Sequence, residues 1–472
     1  MKRIEYEKLE KSLQRLEGWY STWFTNNDNG RSGVGGLIAT LWGSSWYACI
    51  PHIMNIVGVI RGLCYRANDK NGEHAVNRAS NLIEFLLRCQ DPTTGIFSAG
   101  WGDIPFKKTG LIHQTSAVAA LWSFFKVTQD PEVRECAEKA TKRLDKCDSW
   151  NVINQVLRHL ETIILMCESL DLSKNNRYKK YLEEKGKWIL SLQFKDREIK
   201  GAFPQALSGE TVFSCYQGKC LKPLISLGTF LGDDAYIDSA IRLGEFIKQK
   251  LLVRTDQGLL LNYGFEPSGS NLKLWRKIYK LRRVLPFIEK WVKKARIRAI
   301  DTWQFSQYPM WIARSADTAL GFYKLYEVTN DSQWLGISLD MINAILSYQT
   351  PLGGIRNTLG FWGIYENDNL VWQDVAPITR WNAYVIELLH YLLKGRKVLM
   401  PIRPSEDLKD RVRLMGNQIY EETVLRVSLR DSNNRILWTV NKKSRWGRPR
   451  IPYMKWDEGD CKRGNLTGKQ DL

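Results

Sequence analysis

The chain of 472 residues has no uninterrupted apolar run of the roughly 18 residues needed to cross a bilayer, so no membrane-spanning helix is expected. Its start, MKRIEYEKLEKSLQRLEGWY, is charged throughout and has no apolar core, so no secretory signal is expected either. The Gly-rich fingerprints of nucleotide-binding loops are missing. Paired Cys or His motifs at metal-ligating spacing are also missing, so neither a metal nor another cofactor is expected. The nine cysteines are an odd number and sit mostly inside apolar helical patterns, where a thiol behaves as a small buried hydrophobe; reduced thiols in a cytosolic protein are expected. Cys215 and Cys220 are close in sequence, but their spacing alone is a poor zinc signal.

With 44% hydrophobic and 25% charged residues the chain is neither disordered nor fibrous. Its net charge of +19 is unevenly spread. Residues 273–298 carry +10 and residues 394–472 carry +9, so the remainder is formally neutral. In 273–298, Leu274, Trp275, Ile278, Leu281, Leu285, Ile288, Trp291, Val292 and Ala295 recur at three- and four-residue steps between the cations. This pattern predicts a basic amphipathic helix, kinked near Pro286. Such a helix suits an anionic membrane surface, or packs on the protein with its basic face in solvent. No zinc-finger or RNA-binding-sheet motif accompanies the charge, which leaves nucleic acid a minor alternative.

A loose unit repeats along the chain. An apolar helix ends in a turn such as KVTQDPEVRECAEKA (126–140), GTFLGDDAYIDSA (228–240) or YEVTNDSQWLGIS (326–338), with LDLSKNNRYKKYL (170–182) a looser copy. Thr or Asp there can cap the amphipathic helix that follows. That second helix often ends in Gln before a Gly-rich loop, as in FLLRCQDPTTGIF, WILSLQFKDREIKGAF and AILSYQTPLGGI. Charge-bearing helices fall near 4–25, 73–90, 131–147, 176–193, 234–252 and 332–349. More apolar ones fall near 46–67, 113–128, 150–170, 211–230, 314–329 and 379–394. Six half-solvated helices alternating with six buried ones predict an all-α fold, an (α/α)6 toroid of six helical hairpins. The N-terminal outer helix would close the ring on the last inner helix. The toroid would span 1–394, with 253–313 a rim insertion holding the basic helix. Residues 395–472 would form a basic extension with a β-hairpin around Asp-Ser-Asn-Asn in 422–440. The long connections 26–45, 91–112, 194–210, 253–313 and 350–378 all lead into inner helices, so one rim should carry the site.

The Gln-to-Gly loop units resemble those of α/α-toroid enzymes of the six-hairpin-glycosidase type: glycoside hydrolases, polysaccharide lyases, sugar epimerases and isoprenoid cyclases. Segments 303–328 and 376–393 also resemble the C-terminal domain of D-glucuronyl C5-epimerases, through Tyr308-Pro309 and Arg380-Trp381. That family's Glu before the Tyr is Gln307 here, and its Tyr after the Trp falls on Ala383, with Tyr384 one place on. The acidic motifs of isoprenoid cyclases and the Cys-His-Gly of lanthionine cyclases do not occur.

Candidate residues follow from the rim. His113 and Gln114 open an inner helix, a position that suits a cavity-facing general base (His113) or a sugar hydroxyl ligand (Gln114), or a helix-capping or core histidine. His52, His159 and His390 lie in helical patterns and read as core histidines, and His74 as solvated. Arg314 and Asp317, one turn apart, could pair, or Arg314 could neutralise a substrate carboxylate while Asp317 handles protons. Asp374 and Arg380 bracket the last inner helix in the same way. Asp103 and Glu210 could supply a carboxylate pair for hydrolysis. Trp101, Trp303, Trp311, Trp362, Trp372 and Trp381 offer rings for sugar stacking or core packing. Tyr308 and Tyr384 join His113 as proton carriers.

The resemblance implies an enzyme of carbohydrate metabolism or polysaccharide biosynthesis, acting on a glycan that could be uronate-containing and lipid-linked, by C5 epimerisation or elimination. A glycoside hydrolase is the nearest competitor, and a lipid-binding toroid or a non-catalytic scaffold is the reading from other classes. The expected location is cytoplasmic, peripheral at the inner membrane face through 273–298. Flotation of the full chain with anionic vesicles should be lost when 273–298 is deleted, and undiminished flotation would reject the membrane role.

Overall fold

The computed structural model describes residues 5–21, 24–25, 33–34, 36–39, 45–48, 53–97, 111–144, 153–195, 198–204, 213–265, 310–350, 353–359, 363–364, 368–370, 379–402, 424–430 and 436–444. Among them are twelve α-helices. They are α1 (Tyr6–Ser21), α2 (Ile53–Cys64), α3 (Gly72–Arg88), α4 (Leu111–Thr128), α5 (Pro131–Leu144), α6 (Ile153–Ser169), α7 (Asn176–Ser191), α8 (Gly218–Leu231), α9 (Asp234–Lys250), α10 (Ala316–Thr329), α11 (Ser332–Ser347) and α12 (Thr379–Leu392).

The even-numbered helices are buried nearly all round, whereas α1, α3, α5, α7 and α9 keep one face in solvent. Each inner helix packs on the next, and α12 returns to α2, so the inner ring closes. Each outer helix packs on the inner helix before it, and α1 packs on α12. This is the (α/α)6 toroid expected from the alternation. Inner helices approach closely at small residues: a Cβ on Gly58 would lie 2.7 Å from the Ala383 carbonyl oxygen, and one on Gly218 would overlap the Thr318 hydroxyl.

The short inner-to-outer turns are capped as their sequences suggest. The carboxylates of Asp130, Asp233 and Asp331 accept from the backbone N–H groups of Glu132, Ala235 and Gln333 at 2.9 Å each. Asn175 does the same for Arg177 at 3.0 Å.

The outer-to-inner turns are held by a repeated amide brace. Gln90, Gln193 and Gln349, just past the ends of α3, α7 and α11, donate to the carbonyls of Gly95, Gly201 and Gly353. Each donates also to the neighbouring outer helix, at Cys136, Ser239 and Ser12. The Gln-to-Gly spacing is therefore a device that ties a loop to the next hairpin and satisfies buried carbonyls.

Ring closure depends on a buried carboxylate. Glu17 of α1 accepts from Arg78 of α3 at 2.5 and 3.2 Å and lies 2.8 Å from His390 Nε2 of α12. Burial works against its ionisation, but Arg78 and His390 more than offset this, and its pKa falls from 4.5 to about 2.

The connections hold more β-structure than the sequence reading foresaw. Residues 46–48 lie not in an inner helix but in strand β4 (Ser45–Ala48), which pairs antiparallel with β3 (Gly36–Ala39) after β1 (Phe24–Thr25) and β2 (Gly33–Val34), because the β-prone SWYA pairs with GLIA. Residues before α8 likewise form β5 (Phe213–Ser214) and a 3-10 turn, Cys215–Gln217. The connection after α9 opens as a hairpin, β6 (Leu252–Thr255) and β7 (Gly258–Asn262), followed by β8 (Gly264–Phe265), which pairs with β5. β9 (Met310–Trp311) and β10 (Thr358–Leu359) complete a four-stranded sheet in the order β10-β9-β7-β6. Strand β7 covers α11, which is why that outer helix is more apolar than the others. β11 (Gly363–Ile364), β12 (Asp368–Leu370), β13 (Val424–Arg430) and β14 (Ile436–Ser444) form a second sheet. The expected C-terminal hairpin is β13–β14, and β14 also pairs with β12 of a rim connection. The basic segment 273–298 lies outside the described residues. No helix among the described residues is long and apolar enough to cross a membrane.

Replacing Glu17 by Ala should lower the unfolding free energy by about 3 kcal/mol at neutral pH, because Arg78 and His390 lose a buried partner. A lowered carboxylate pKa stabilises the fold above the unfolded value of 4.5, and this stabilisation drains away as pH falls towards 2. Urea denaturation should therefore show the gap between wild type and variant closing across that window.

Candidate active site

Parallel inner helices aim one stripe of side chains at the ring axis, and here the stripe is charged. One layer is Arg61 of α2, Glu161 of α6, Lys222 of α8 and Glu387 of α12. Arg61 lies 2.8 Å from Glu161 and 3.5 Å from Glu387; Lys222 lies 3.3 Å and 2.9 Å from the same two. This square of two cations and two carboxylates is formally neutral. Burial opposes the charge on Glu161, yet Arg61 and Lys222 hold its carboxyl well below the usual carboxylate range.

One turn nearer the inner-helix N-termini the balance changes. Arg158 bonds Asp317 at 2.6 Å and the Ser116 hydroxyl at 3.3 Å, and Lys219 lies 3.6 Å from Asp317. Tyr384 stands among them, with the Lys219 amine 4.8 Å and the Arg158 guanidinium 5.8 Å from its ring centre. The Tyr384 hydroxyl is buried and has no hydrogen-bond partner among the described residues. Burial raises a phenol's pKa, but Lys219 and Arg158 reverse this and bring Tyr384 below its ordinary 10.0. Asp317 is also held below its usual value: burial opposes ionisation, and Arg158 and Lys219 outweigh it.

A cation–aromatic stack adjoins this layer. The Arg314 guanidinium lies 4.1 Å from the Trp381 ring centre, 4.4 Å from Trp311 and 4.8 Å from Tyr216. Arg380 lies 4.7 Å from Trp381, whose ring stacks on Tyr384 at 6.0 Å. The Arg380 Nε is buried without a hydrogen-bond partner among the described residues, and burial lowers its pKa.

The structure thus brings together Arg314, Asp317, Arg380, Trp381 and Tyr384 of the sequence candidates, with Trp311 beside them. It also defines the surroundings of these residues and of His113 and Gln114. Arg314 and Asp317 do not pair, because the 3-10 turn Ala313–Ser315 turns Arg314 onto the aromatics while Asp317 faces α6. Asp317 is the counter-ion of Arg158 and Lys219. Gln114 is not open to a sugar: its amide accepts from the Phe97 N–H at 2.8 Å and donates to the Phe97 carbonyl at 2.7 Å. Gln217 does the same for Phe203 and Asn382 for Ile355. Burial and then Arg380 lower the His113 pKa from 6.5 to about 3, which favours the neutral imidazole. Trp381 is packed by Arg314, Arg380 and Tyr384. His159 and His390 are core residues and His74 is exposed, as read from the sequence. Trp101, Asp103, Glu210, Trp303, Tyr308, Trp362, Trp372 and Asp374 lie outside the described residues.

Sequence reading missed Arg61, Arg158, Glu161, Tyr216, Lys219, Lys222 and Glu387. A signal was present: Arg158 and Glu161, and Lys219 and Lys222, are i,i+3 charges inside otherwise apolar helices, where unpaired charge is rarely tolerated. No group of three His, Cys, Asp or Glu among the described residues is placed to hold a metal ion.

No family model matches the chain, and no curated protein matches its sequence. Its fold matches those of solved sugar enzymes. A cellobiose 2-epimerase from Bacillus thermoamylovorans is 13% identical with a TM-score of 0.55, over 80% of this chain and 98% of that one. A D-mannose isomerase is 13% identical at 0.54, over 83% and 99%. A polysaccharide lyase is 9% identical at 0.53, over 82% and 97%. The chain has the (α/α)6 toroid fold of these carbohydrate-acting enzymes.

Asp317→Leu alone should cost about 3–5 kcal/mol in urea unfolding, because Arg158 and Lys219 stay buried without their counter-ion. Arg158→Met combined with Asp317→Leu should recover part of that loss, and a strictly additive double variant would contradict the pairing.

Proposed function

We propose that the protein is a carbohydrate-active enzyme acting at C5 of a uronate-containing glycan, by epimerisation or elimination. The carrying observation is the layer around Tyr384, where, among the described residues, Arg158, Lys219 and Arg380 stand against the one carboxylate of Asp317. Such a layer attracts an anionic group, and a sugar carboxylate supplies one. The fold shared with sugar epimerases, isomerases and lyases supports the same reading.

In this mechanism the substrate carboxylate binds beside Arg380 and Arg314. Tyr384, as the phenolate, takes the C5 proton, which is acidified by the adjacent carboxylate. The electron pair moves into the carboxylate to form an enediolate, stabilised by the cations. Returning a proton to the opposite face of C5 gives the epimer. Collapse of the enediolate with departure of the O4 substituent gives a 4,5-unsaturated uronate. Tyr308 is proposed as the second proton carrier. The basic stretch 273–298, in the connection before α10, suits a lipid-linked substrate at an anionic membrane.

Hydrolysis needs a carboxylic acid kept protonated; Glu161 and Asp317, both paired with cations, do not suit that role, and the pair considered for it, Asp103 and Glu210, lies outside the described residues. A purely lipid-binding toroid would line its axis with apolar side chains rather than this charged column.

Oligosaccharides of glucuronate, mannuronate and galacturonate, incubated in deuterated water, should acquire deuterium at C5 or gain the ultraviolet absorbance of the unsaturated product. Tyr384→Phe should slow this by about 100-fold or more. The absence of both exchange and elimination across the set would reject the chemistry.

A further inference from the structure

Tyr384 sits where four helices converge on the axis, and its surroundings are chargeable on every side. Lys219 faces it from α8, Arg158 from α6 and Asp317 from α10; Arg380 lies one turn away on its own helix, with His113 of α4 beside Arg380. No described group donates a hydrogen bond to the Tyr384 hydroxyl, so the charge of that oxygen is governed by these neighbours.

The neighbours are not equivalent. Arg158 spends its charge on the direct bond to Asp317 at 2.6 Å. Lys219 stands farther from Asp317, at 3.6 Å, and nearer to the Tyr384 ring, at 4.8 Å against 5.8 Å for Arg158. Its amine is buried and enclosed by Tyr216, Trp381 and Tyr384. Water therefore screens little of the field between amine and ring.

We propose that Lys219 is a positioning residue that keeps Tyr384 ready to release its phenolic proton, by holding an ammonium charge against the ring while Asp317 keeps that charge in place. Lys219 touches neither substrate nor reacting atoms in this scheme. The proposal rests on Tyr384 as the proton carrier and adds what makes it one. Substitution of Lys219 should change the pH at which the site works, where a residue that only filled space would change stability alone.

The test is a tyrosinate titration by ultraviolet absorbance, which needs no substrate. Subtracting the curve of Tyr384→Phe isolates Tyr384 from the other tyrosines among the chain's nineteen. Lys219→Met should move the Tyr384 midpoint up by about one pH unit or more, a roughly tenfold weaker acid. Lys219→Arg should keep it near the wild-type position. The pH profile of C5 exchange should move to higher pH by the same amount in Lys219→Met and be rescued in Lys219→Arg. Circular dichroism establishes that each variant is folded, and Lys219→Gln replaces the Met variant if that one is not. An unmoved midpoint in a folded, uncharged variant overturns the proposal while leaving Tyr384's role intact. A difference curve with no separate Tyr384 transition overturns the proton-carrier reading itself.

Discussion

Charge taken out of water must find charge, and the axis of this toroid obeys that constraint in two different ways. In the layer of Arg61, Glu161, Lys222 and Glu387 the account closes, with each cation touching both carboxylates. This ties α2, α6, α8 and α12 across the barrel and fixes the rotation of each helix about its own axis. One turn nearer the inner-helix N-termini, cations outnumber carboxylates around Tyr384 among the described residues. The neutral layer acts as a floor that holds the cationic layer's helices in place. The cationic layer is where a ligand is called for.

The rim is attached to this floor by amides. Gln90, Gln193 and Gln349 reach from outer helices to loop carbonyls, while Gln114, Gln217 and Asn382 reach from inner helices to Phe97, Phe203 and Ile355. The connections that follow α3, α7 and α11 are thus each held by a glutamine at one end and, at the other, by an inner-helix amide that both donates and accepts. A rigid scaffold with pinned loops preserves the spacing of groups that act together.

The architecture was legible because its causes are local and periodic. Alternating burial sorted the helices into two rings, and Thr128, Asp130 and Asp331 announced their turns through capping chemistry. The Gln-to-Gly loop was visible as a pattern, though its purpose was not, since the second carbonyl it satisfies belongs to a hairpin some 46 residues away. The same distance effect hid the site. Arg158 and Asp317 are separated by 159 residues, and nothing near either one names the other. Gln114 and His113 were legible as the opening of an inner helix, but their environment depends on Phe97 and Arg380. Ala383 packs on Gly58 of α2, whereas the next residue, Tyr384, meets the charged layer at the axis.

Helix α1 carries a consequence for the way the ring is assembled. On the side facing the last hairpin, its partners lie more than 330 residues downstream: Thr350 for Arg15, His390 for Glu17 and Met400 for Gln14. During synthesis from the N-terminus, α1 must therefore leave the ribosome long before these partners exist. Its apolar stripe, including Leu9, Leu13 and Leu16, stays unshielded on that side until nearly the whole barrel has been translated. Helix α1 is thus made well before the hairpin that locks this side of it.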